Sequence, residues 1–386
     1  MLTYKRKLIL TKAQEQRIDN WIGACRWVYN ASLEIRKEAW KNKQITPTVF
    51  DLILQLPTIK YIDWIADVPA HSLNDAVERL DHSYKKFFKD YKTGAVRPQF
   101  KSKKKYKSIT LKQYNVNQKS PAIEVKNNKI KLPKISWIKF HKDSPITGKI
   151  KTATIVKELN GYFIYVVTDS VRDISNKDES QVIGLDMGII HFYTDSNGNH
   201  TENPKHFDKY QNKLRIKQRS ICRKKKGSNR YKKDAKAVGL IYRKIANARK
   251  DFLHKMSYSL SKKYNTIYVE DFDIKRMAKT KWLTRHILDC GWGMFRVMLD
   301  YKTNVIKVDS KYTSQTCNEC NSVNSKNRIS QSEFACTGCG HISNADVNAS
   351  KNILSKGIAL NRKRELIGCA LVEESKNKDM SAGFDK

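Results

Sequence analysis

Residues 317–352 have the sequence CNECNSVNSKNRISQSEFACTGCGHISNADVNASKN, which contains two Cys-x-x-Cys pairs. Fifteen residues separate the pair Cys317/Cys320 from the pair Cys336/Cys339. Two residues between thiols allow a tight turn that directs both sulfurs at one ion, and two such turns complete a tetrahedral site. We therefore predict a zinc ribbon with one structural Zn²⁺, because four protein ligands leave no coordination position open for chemistry. The alternative is a redox or disulfide use of these cysteines, which would suit an oxidising compartment.

An acid follows the predicted ribbon directly, and two more acids end apolar runs earlier in the chain. Asp186 and Glu270 each end a strand-like run, whereas Asp346 lies at the start of a predicted helix. Catalytic groups of an open α/β sheet gather at the carboxyl ends of its strands, so acids that are distant in sequence can converge there. Carboxylates are the oxygen ligands that Mg²⁺ prefers, and two ions about 3.5–4 Å apart can activate water against a phosphodiester. The pattern favours a catalytic site with two Mg²⁺ ions; the alternative is that the acids are ordinary turn residues.

Three more acids lie close to this set in the sequence. Asp271 follows Glu270 and should face the opposite side of its strand, because side chains alternate along a strand. Asp195 and Asp273 lie in predicted turns. These three acids are therefore weaker candidates for the site.

The composition is strongly basic: 75 Lys and Arg against 38 Asp and Glu give a net charge of +37. Such an excess favours a polyanionic partner, because each neutralised phosphate releases condensed counterions; the alternative is a basic protein that is merely soluble. Residues 97–107 hold six basic residues and no acid, and residues 213–250 hold sixteen basic residues against one acid, Asp234. A charge run is often only a solvated face, but runs of this extent predict nucleic-acid contacts. The candidate contacts are Arg97, Lys101, Lys103, Lys104, Lys105, Arg223, Lys224, Lys225 and Lys226.

Hydrophobic periodicity predicts how the first half of the chain is organised. Helical spacing over residues 11–92 predicts a helical insertion, which begins with a capping box formed by Thr11 and Gln14. Strand-like runs in residues 1–10 and 93–175 predict a small β-barrel that includes the first strand, a type of domain that often binds nucleic acid. A polar linker is expected at 171–180.

The second half alternates strands with helices. We place an α/β domain at residues 181–311 and 343–356, interrupted by the ribbon at 312–342. Its basic helical region should break at Gly227-Ser228 and at Gly239. The remaining residues, 357–386, are rich in Lys, Arg and Glu and should form a disordered tail.

Cysteine use and hydropathy limit the cellular compartments in which the protein is expected. The chain has no apolar run long enough for a signal peptide or a membrane span. Besides the two pairs, four cysteines are scattered and are interpreted as buried small hydrophobic residues: Cys25, Cys222, Cys290 and Cys369. This distribution suits a reducing compartment with one cysteine-bound metal better than a disulfide framework.

Three motifs surround the candidate acids: GLDMG at 184–188, VEDF at 269–272 and ADVNASKNIL at 345–354. They resemble the three RuvC motifs of the TnpB family of transposon-encoded proteins, which are relatives of the compact type V CRISPR nucleases. The order acid, acid, ribbon, acid is also similar to that of the family. The resemblance extends over roughly residues 1–356, through CRWVYN at 25–30, RPQFKSK at 97–103 and GWGMF at 291–295.

The resemblance implies a transposon-encoded, RNA-guided DNA endonuclease that cleaves double-stranded DNA beside a short target-adjacent motif. It implies a multidomain α+β fold, with an RNase H-like (RuvC) α/β nuclease domain that holds the zinc ribbon and an N-terminal β-barrel (wedge) domain interrupted by a helical recognition insertion. The implied partners are a guide RNA from the transposon end and the target DNA, bound by a monomeric protein in a ribonucleoprotein with no membrane. The implied location is the prokaryotic cytoplasm, at the nucleoid. The implied cofactors are one Zn²⁺ at the four paired cysteines and two Mg²⁺ at Asp186, Glu270 and Asp346.

Small departures from the family pattern leave these ligands in place. Met187 and the pair Ser350-Lys351 differ from the usual residues, but neither replaces an expected metal ligand. A nuclease-silent, RNA-guided regulator is the second hypothesis, and the three intact acids argue against it. Two further hypotheses are a transposase that joins DNA ends without guide RNA and a CRISPR-associated nuclease of similar size. In the guided hypotheses, base pairing carries sequence specificity and the protein recognises backbone and duplex shape.

Overall fold

The computed structural model describes residues 1–114, 121–141, 143–170, 181–277, 279 and 283–381. In the last helix, side chains are described up to residue 363. The chain divides into two compact units, Met1–Asp173 and Ile174–Lys386. The division falls in residues 171–180, where the sequence predicts a linker; these residues lie outside the described ranges.

The first unit contains strands β1 (Leu2–Ile9), β2 (Ser108–Lys112), β3 (Glu124–Lys126), β4 (Lys129–Leu132), β5 (Ser136–Phe140), β6 (Ile150–Glu158) and β7 (Gly161–Thr168). Within the described residues, they form an antiparallel sheet in the order β2-β6-β7-β1-β5-β4-β3. β1 lies at its centre, which confirms that the first strand joins the strands that follow the helical insertion. Alternation of buried and partly buried residues along β7 shows that one face of the sheet packs on a core.

The prediction of a closed barrel is wrong for the described part of this unit. β2 and β3 are the two edges of the sheet and share no strand pairing. They are linked locally by Gln113, whose side-chain amide donates to Ile123 O (2.8 Å) and whose side-chain oxygen accepts from Ile123 N (2.7 Å). β3 has three residues, so it offers few backbone groups for a closing ladder. The sheet therefore remains open.

The helices of the first unit are α1 (Lys12–Lys41), α2 (Val49–Leu54), α3 (Asp63–Ala66) and α4 (Ala70–Asp90), with short 3₁₀ turns at Leu56–Ile59 and Tyr91–Thr93. The capping box at the start of α1 is confirmed, since Thr11 Oγ1 accepts from Gln14 N and Gln14 Oε1 accepts from Thr11 N. Helices and sheet share a single hydrophobic core, in which Trp21, Leu73 and Ile164 are fully buried. Residues 11–92 are thus inserted between β1 and the other strands in the order of the chain. They do not form a core of their own, because they share one core with the sheet.

The second unit contains strands β8 (Val182–Asp186), β9 (His191–Asp195), β10 (His200–Glu202), β11 (Thr266–Glu270) and β12 (Asn304–Val308). Within the described residues they form a sheet in the order β10-β9-β8-β11-β12. β8, β11 and β12 run parallel, whereas β9 and β10 are antiparallel to their neighbours. β13 (Glu333–Ala335) and β14 (Ile342–Asn344) form a separate hairpin in the ribbon.

The helices of the second unit are α5 (His206–Cys222), α6 (Asn229–Lys263), α7 (Ile274–Met277), α8 (Thr284–Cys290), α9 (Trp292–Asp300) and α10 (Ala345–Ser381). The predicted break at Gly227-Ser228 is confirmed: Gly227 has φ +88°, and Ser228 caps α6 by accepting from Tyr231 N. The predicted break at Gly239 is wrong, because α6 continues through it. A helical glycine costs about 1 kcal/mol relative to alanine, which the packing of a long helix can offset.

α10 extends further than the sequence predicts. The composition favours a disordered tail from residue 357, but the helix continues to Ser381. Ile358 and Leu360 pack against the buried Tyr268 and Val308, so the sheet supports the helix beyond its predicted end. The residues that follow are rich in Lys, Glu, Arg and Leu, which have high helix propensity.

No helix in the described ranges combines the length and the apolarity that crossing a bilayer requires.

Candidate active site and metal centre

Two of the candidate acids lie side by side at the carboxyl ends of parallel strands. In the register of β8 and β11, Leu185 pairs with Val269, so the next residues are Asp186 and Glu270. The strand interiors are buried, and Ile183 and Val269 are fully excluded from solvent. Both acids are only partly buried, because each marks the point where its strand leaves the core. This register places both acids at the same edge of the sheet, where the sequence predicts that they meet.

The third acid is carried to the same edge by α10. Asp346 lies in the first turn of this helix, and Asn344 caps it by accepting hydrogen bonds from Asp346 N (3.0 Å) and Val347 N (3.2 Å). α10 crosses the sheet at close range, because an added Cβ at Gly184 would collide with the backbone of Ser350. Glycine at position 184 therefore allows the approach that positions Asp346.

The three carboxylates interact electrostatically. Burial raises the pKa of Asp186 to about 7, and the charges of Glu270 and Asp346 add to the rise. Burial also raises the pKa of Glu270, although a hydrogen bond from Thr313 opposes the rise. A carboxyl group whose pKa is raised by burial and by neighbouring acids is typical of a functional site, and it marks negative charge that a cation would stabilise.

Two contacts of the acids have no signal in the sequence. Thr313 Oγ1 donates a hydrogen bond to Glu270 Oε1. Arg328, from the ribbon, forms an ion pair with Asp346 at 3.5 Å between Nη2 and Oδ1, and its charge lowers the pKa values of Asp186 and Glu270. No spacing rule relates Thr313 or Arg328 to the acids, so only the folded arrangement reveals them.

The neighbouring acids have their own partners. Asp271 is exposed and lies near Arg296 (3.4 Å) and Lys307 (3.8 Å), on the opposite side of β11 as expected. Asp195 accepts hydrogen bonds from the backbone of the turn that follows β9, and Asp273 Oδ1 accepts from Arg276 N at the start of α7. Each of these acids therefore accepts hydrogen bonds from nearby backbone N–H groups or pairs with a surface cation.

The four paired cysteines form a metal-binding arrangement. Their Sγ atoms all lie within 4.8 Å of one another. Cys317 Sγ is 3.7 Å from Cys339 Sγ, and Cys320 Sγ is 3.5 Å from Cys336 Sγ. A tetrahedral ion with metal–sulfur bonds of about 2.3 Å requires sulfur–sulfur distances of about 3.8 Å, so the spacing fits a bound ion and is far too long for a disulfide. Backbone N–H groups of Cys339 and Gly338 donate to Cys336 Sγ and hold its pKa at about 6, which favours the thiolate that binds metal.

The ribbon is attached directly to the helix that carries Asp346. Asn348 Nδ2 donates to Thr316 O (2.8 Å), and Asn348 Oδ1 accepts from Asn318 N (3.0 Å). One turn later, Asn352 Nδ2 donates to Thr316 O (2.7 Å) and Thr313 O (2.9 Å). Two buried asparagines of α10 therefore fix the backbone on either side of the first metal ligand.

The predicted nucleic-acid contacts differ in their surroundings. Lys103, Lys104, Lys105, Arg223, Lys225 and Lys226 are exposed or partly exposed. Lys101 is held through its backbone by Asn30, and the Arg97 guanidinium lies over the Phe87 ring. Lys224 pairs with Asp234, which joins the two arms of the basic α5–α6 hairpin. The exposed cations are the ones free to meet a phosphate backbone.

The scattered cysteines only partly follow their interpretation. Cys25 and Cys290 are buried as expected, and burial raises their pKa values to about 12 and about 11. The interpretation is wrong for Cys222, which is exposed at the end of α5. The side chain of Cys369 lies outside the described residues.

A mixed sheet with acids at adjacent parallel strand ends, and a further acid on a helix that follows a cysteine ribbon, defines a RuvC-like domain within a multidomain α+β protein. Family models agree with this class. One described as "Probable transposase" matches residues 165–281, one described as "Cas12f1-like, TNB domain" matches residues 292–353, and one described as "Helix-turn-helix domain" matches residues 1–44.

Comparison with whole proteins identifies the family. The chain is 30% identical over 370 residues to the "Putative RNA-guided DNA endonuclease InsQ" of Escherichia coli (strain K12), with 90% of each chain covered. It is 28% identical over 369 residues to the "Putative RNA-guided DNA endonuclease" of Streptomyces pristinaespiralis, covering 92% of this chain and 89% of the relative. A solved structure described as "Cryo-EM structure of the Cas12f1-sgRNA-target DNA complex" has a similar fold, with a TM-score of 0.58 and 14% identity over 89% of this chain and 83% of that one. The chain belongs to the TnpB family of transposon-encoded proteins.

Proposed function

We propose that this chain is an RNA-guided DNA endonuclease that cleaves double-stranded DNA next to a short target-adjacent motif. Family membership supports the proposal, since relatives that match this chain over about nine-tenths of its length carry the description RNA-guided DNA endonuclease in their names. The observation that carries it is the register of β8 and β11, which ends two adjacent parallel strands at Asp186 and Glu270, with Asp346 near enough for its charge to act on Asp186. A nuclease-silent regulator would have no need to retain such an unfavourable cluster.

The donor chemistry of this edge fits Mg²⁺, although within the described residues the oxygens of the three acids do not all lie within 4.8 Å of one another, as the sulfurs of the four cysteines do. Asp186, Glu270 and Asp346 offer carboxylate oxygens, and all three are accessible enough to reach an ion. Two bound Mg²⁺ ions would supply an activated water and stabilise the leaving oxygen of the phosphodiester.

The protein's own groups orient this ligand set. Thr313 fixes one oxygen of Glu270 and leaves the second oxygen for a ligand role. Arg328 places a positive charge beside Asp346 and is near enough to lower the pKa values of Asp186 and Glu270, so it offsets the repulsion among the acids before substrate arrives. Asn348 and Asn352 keep the ribbon in contact with α10, which maintains the position of Arg328 relative to Asp346.

We assign Zn²⁺ to the cysteine centre, since four thiolates at tetrahedral spacing match its preferences. The closed ligand set makes this ion structural. We further assign residues 11–92 to recognition of guide and target, residues 1–10 and 93–175 to the wedge, and the exposed basic residues to the phosphate backbone. Such a protein would act in the prokaryotic cytoplasm, at the nucleoid.

A plasmid cleavage assay tests the proposal. RNA that copurifies with the expressed chain is sequenced, and a plasmid carrying the matching target is incubated with the complex and Mg²⁺. We expect linear product with wild type and a loss of at least about a thousandfold with Asp186→Ala, since a metal ligand is removed. Undiminished cleavage by Asp186→Ala would reject the site, and joined DNA ends without bound RNA would favour a transposase.

A further inference from the structure

The first unit carries an open groove of about 840 Å³, and all the residues that line it belong to that unit. Its walls come from α1, α3, the segment 103–107 and the turn between β6 and β7. We call it the α1 groove. The groove combines positive charge, two exposed tryptophan rings and a glycine, Gly23, that leaves the helix backbone uncovered. Each of these features points to the same kind of ligand.

Five cations line the groove; Lys157 pairs with Asp19, and the net positive charge comes from Arg26, Lys103, Lys104 and Lys107. Within the described residues, none of these four side chains forms an ion pair with an acid. Lys103, Lys104 and Lys107 are exposed, and Arg26 is partly exposed. Cations held together without carboxylate partners attract an anion with several charges, such as a run of phosphates.

The acids that line the groove are already paired with different residues. Asp19 accepts from Lys157 Nζ and from the Tyr162 hydroxyl (2.7 Å). Glu158 pairs with Lys5 at 2.7 Å. These acids therefore do not neutralise the four lining cations, and the groove keeps a net positive charge.

The aromatic surface is a pair of tryptophans. Trp27 of α1 and Trp64 of α3 meet edge to face, with ring centroids 5.8 Å apart and an interplanar angle of 86°. They remain 40% and 46% exposed, which is unusual for so large an apolar side chain. In an edge-to-face pair, the ring that contributes its edge keeps both of its own faces clear of its partner. A planar aromatic group, such as a nucleobase, can stack on such a face.

Gly23 supplies the third observation. It lies in the interior of α1, where glycine costs about 1 kcal/mol relative to alanine. An added Cβ at Gly23 would meet nothing within 4 Å, so the packing of the protein does not require a glycine there. Gly23 nonetheless lines the groove. The missing side chain leaves room for a ligand to approach the helix backbone closely.

We propose that the α1 groove binds an unpaired stretch of nucleic acid, with a base stacked on Trp27 or Trp64 and the adjacent phosphates on Arg26, Lys103, Lys104 and Lys107. An unpaired stretch fits better than a duplex, because bases inside a duplex already stack on one another and offer no free face. The proposal rests on the proposed function for the origin of the strand, since guide RNA and either DNA strand share this chemistry. It gives the wedge and recognition elements a defined nucleotide subsite.

Photo-cross-linking identifies the strand. Complexes of the full chain with guide RNA and target DNA are prepared with 5-iodouracil placed, in separate arms, along the guide, the target strand or the non-target strand. After irradiation, cross-linked peptides are mapped by mass spectrometry. We expect one arm to give a cross-link to Trp27 or Trp64. If every position in all three arms leaves both tryptophans unmodified, the proposal is overturned.

Affinity measurements then test each feature of the groove. Alanine at the tryptophan that cross-links, Trp27 or Trp64, should raise the dissociation constant for the cross-linked strand about tenfold, the effect of one lost base–aromatic stack. Trp137→Ala, at a similarly exposed tryptophan of β5 outside the groove, is the matched control and should change it less than about twofold. Equal effects of that substitution and of Trp137→Ala would contradict the proposal.

Gly23 offers a test that separates binding from folding. Gly23→Ala should keep or raise the melting temperature, because alanine is the better helix former and meets no neighbour. It should nonetheless weaken binding of the cross-linked strand about threefold, and Gly23→Leu should weaken it about tenfold or more. Unchanged affinity in the folded Gly23→Leu variant would show that nothing approaches the helix there.

Wild-type plasmid cleavage, measured in parallel, distinguishes failure of this inference from failure of the proposed function. If wild type cleaves a guide-matched plasmid while the groove variants bind normally, only the groove proposal fails. If wild type does not cleave, the proposed function fails, and cross-linking with the RNA that copurifies with the chain still decides the groove.

Discussion

The cysteine centre and the carboxylate cluster belong to the same unit, but they are assembled in different ways. The four cysteines lie between residues 317 and 339, and two tight turns bring their sulfurs within 4.8 Å of one another. The carboxylates extend from Asp186 to Asp346, on two strands and a helix. The cysteine centre is therefore a local structure, whereas the carboxylate cluster depends on the whole sheet and on the packing of α10.

The contacts between the two regions indicate that the carboxylate cluster depends on the ribbon more than the ribbon depends on the carboxylates. Thr313 reaches Glu270, and Arg328 reaches Asp346, and both residues lie in or next to the ribbon. The carboxylate cluster thus depends on the ribbon for orientation, while the four sulfurs are brought together within the ribbon itself. Loss of the ribbon metal should disable the acids, and loss of an acid should leave the ribbon intact.

Breaking the cysteine centre should have the largest effect. Cys336→Ser removes a ligand that two backbone N–H groups hold as a thiolate, so the ribbon should lose its ion and its fold. We expect cleavage to fall to background and metal content, measured by atomic emission, to fall from one zinc per chain to nearly none. Cys222→Ser, at an exposed cysteine outside the ribbon, is the control. Full cleavage by a metal-free Cys336→Ser protein would contradict the dependence on the ribbon.

Removing the charge of one carboxylate tests whether the ribbon depends on the acids. Glu270→Gln keeps the shape of the side chain but removes its charge, so cleavage should fall about a thousandfold, or roughly 4 kcal/mol in activation free energy. Zinc content and bound guide RNA should stay at wild-type levels. Asp271→Asn, at the next residue on the opposite side of the strand, should change cleavage less than about twofold. A variant that loses its zinc together with its activity would show that the two regions are mutually dependent.

The contact between Thr313 and Glu270 should have a smaller effect. Thr313→Val removes the hydroxyl that donates to the carboxylate and should reduce cleavage about tenfold, as expected for a residue that orients a metal ligand. The Mg²⁺ concentration for half-maximal rate should rise at the same time. Thr313→Ser restores the hydroxyl and should recover most of both losses. If serine rescues neither quantity, Thr313 acts through packing alone.

The smallest expected effect is the change in stability caused by Asp186→Asn. This substitution should stabilise the metal-free protein, although it should reduce cleavage. The pKa of Asp186 is raised to about 7 in the folded protein, so folding favours its protonated form. In metal-free protein, stability should therefore increase as the pH falls from about 7 towards the ordinary pKa of an aspartate, and decrease as it rises again. Asp186→Asn should weaken this dependence, leaving the part due to the raised pKa of Glu270, and stabilise the metal-free protein at pH 8 by at least about 1 kcal/mol. Chemical denaturation in chelator at pH 5 and pH 8 measures both; a destabilised Asp186→Asn protein at pH 8 would contradict the charge repulsion inferred for the cluster.

The sequence predicts best where one local rule determines the structure. The strands β8 and β11 end at Asp186 and Glu270, as the sequence predicts, because short apolar runs ending in turns leave little choice. Spacing alone likewise predicts the cysteine centre, since its ligands are close in sequence. The positions of the acids on strand ends and a helix start are equally visible in the sequence.

Features that depend on distant contacts are harder to predict. Thr313 and Arg328 have no signature, because their partners are chosen by how the ribbon docks on α10 and β11. The open edge between β2 and β3 depends on the shortness of β3, which alternation alone does not determine. The extension of α10 depends on a sheet that gives Leu360 a surface to cover.

The carboxylate cluster is proposed to work by sharing divalent ions among Asp186, Glu270 and Asp346. Anomalous diffraction from crystals of the guide-RNA and DNA complex, with Mn²⁺ in place of Mg²⁺, locates such ions directly. We expect two manganese peaks, about 3.5–4 Å apart, with oxygens of all three acids as ligands. Ions bound away from these acids, in a complex that still cleaves DNA in solution, would show that the cluster is not the catalytic centre.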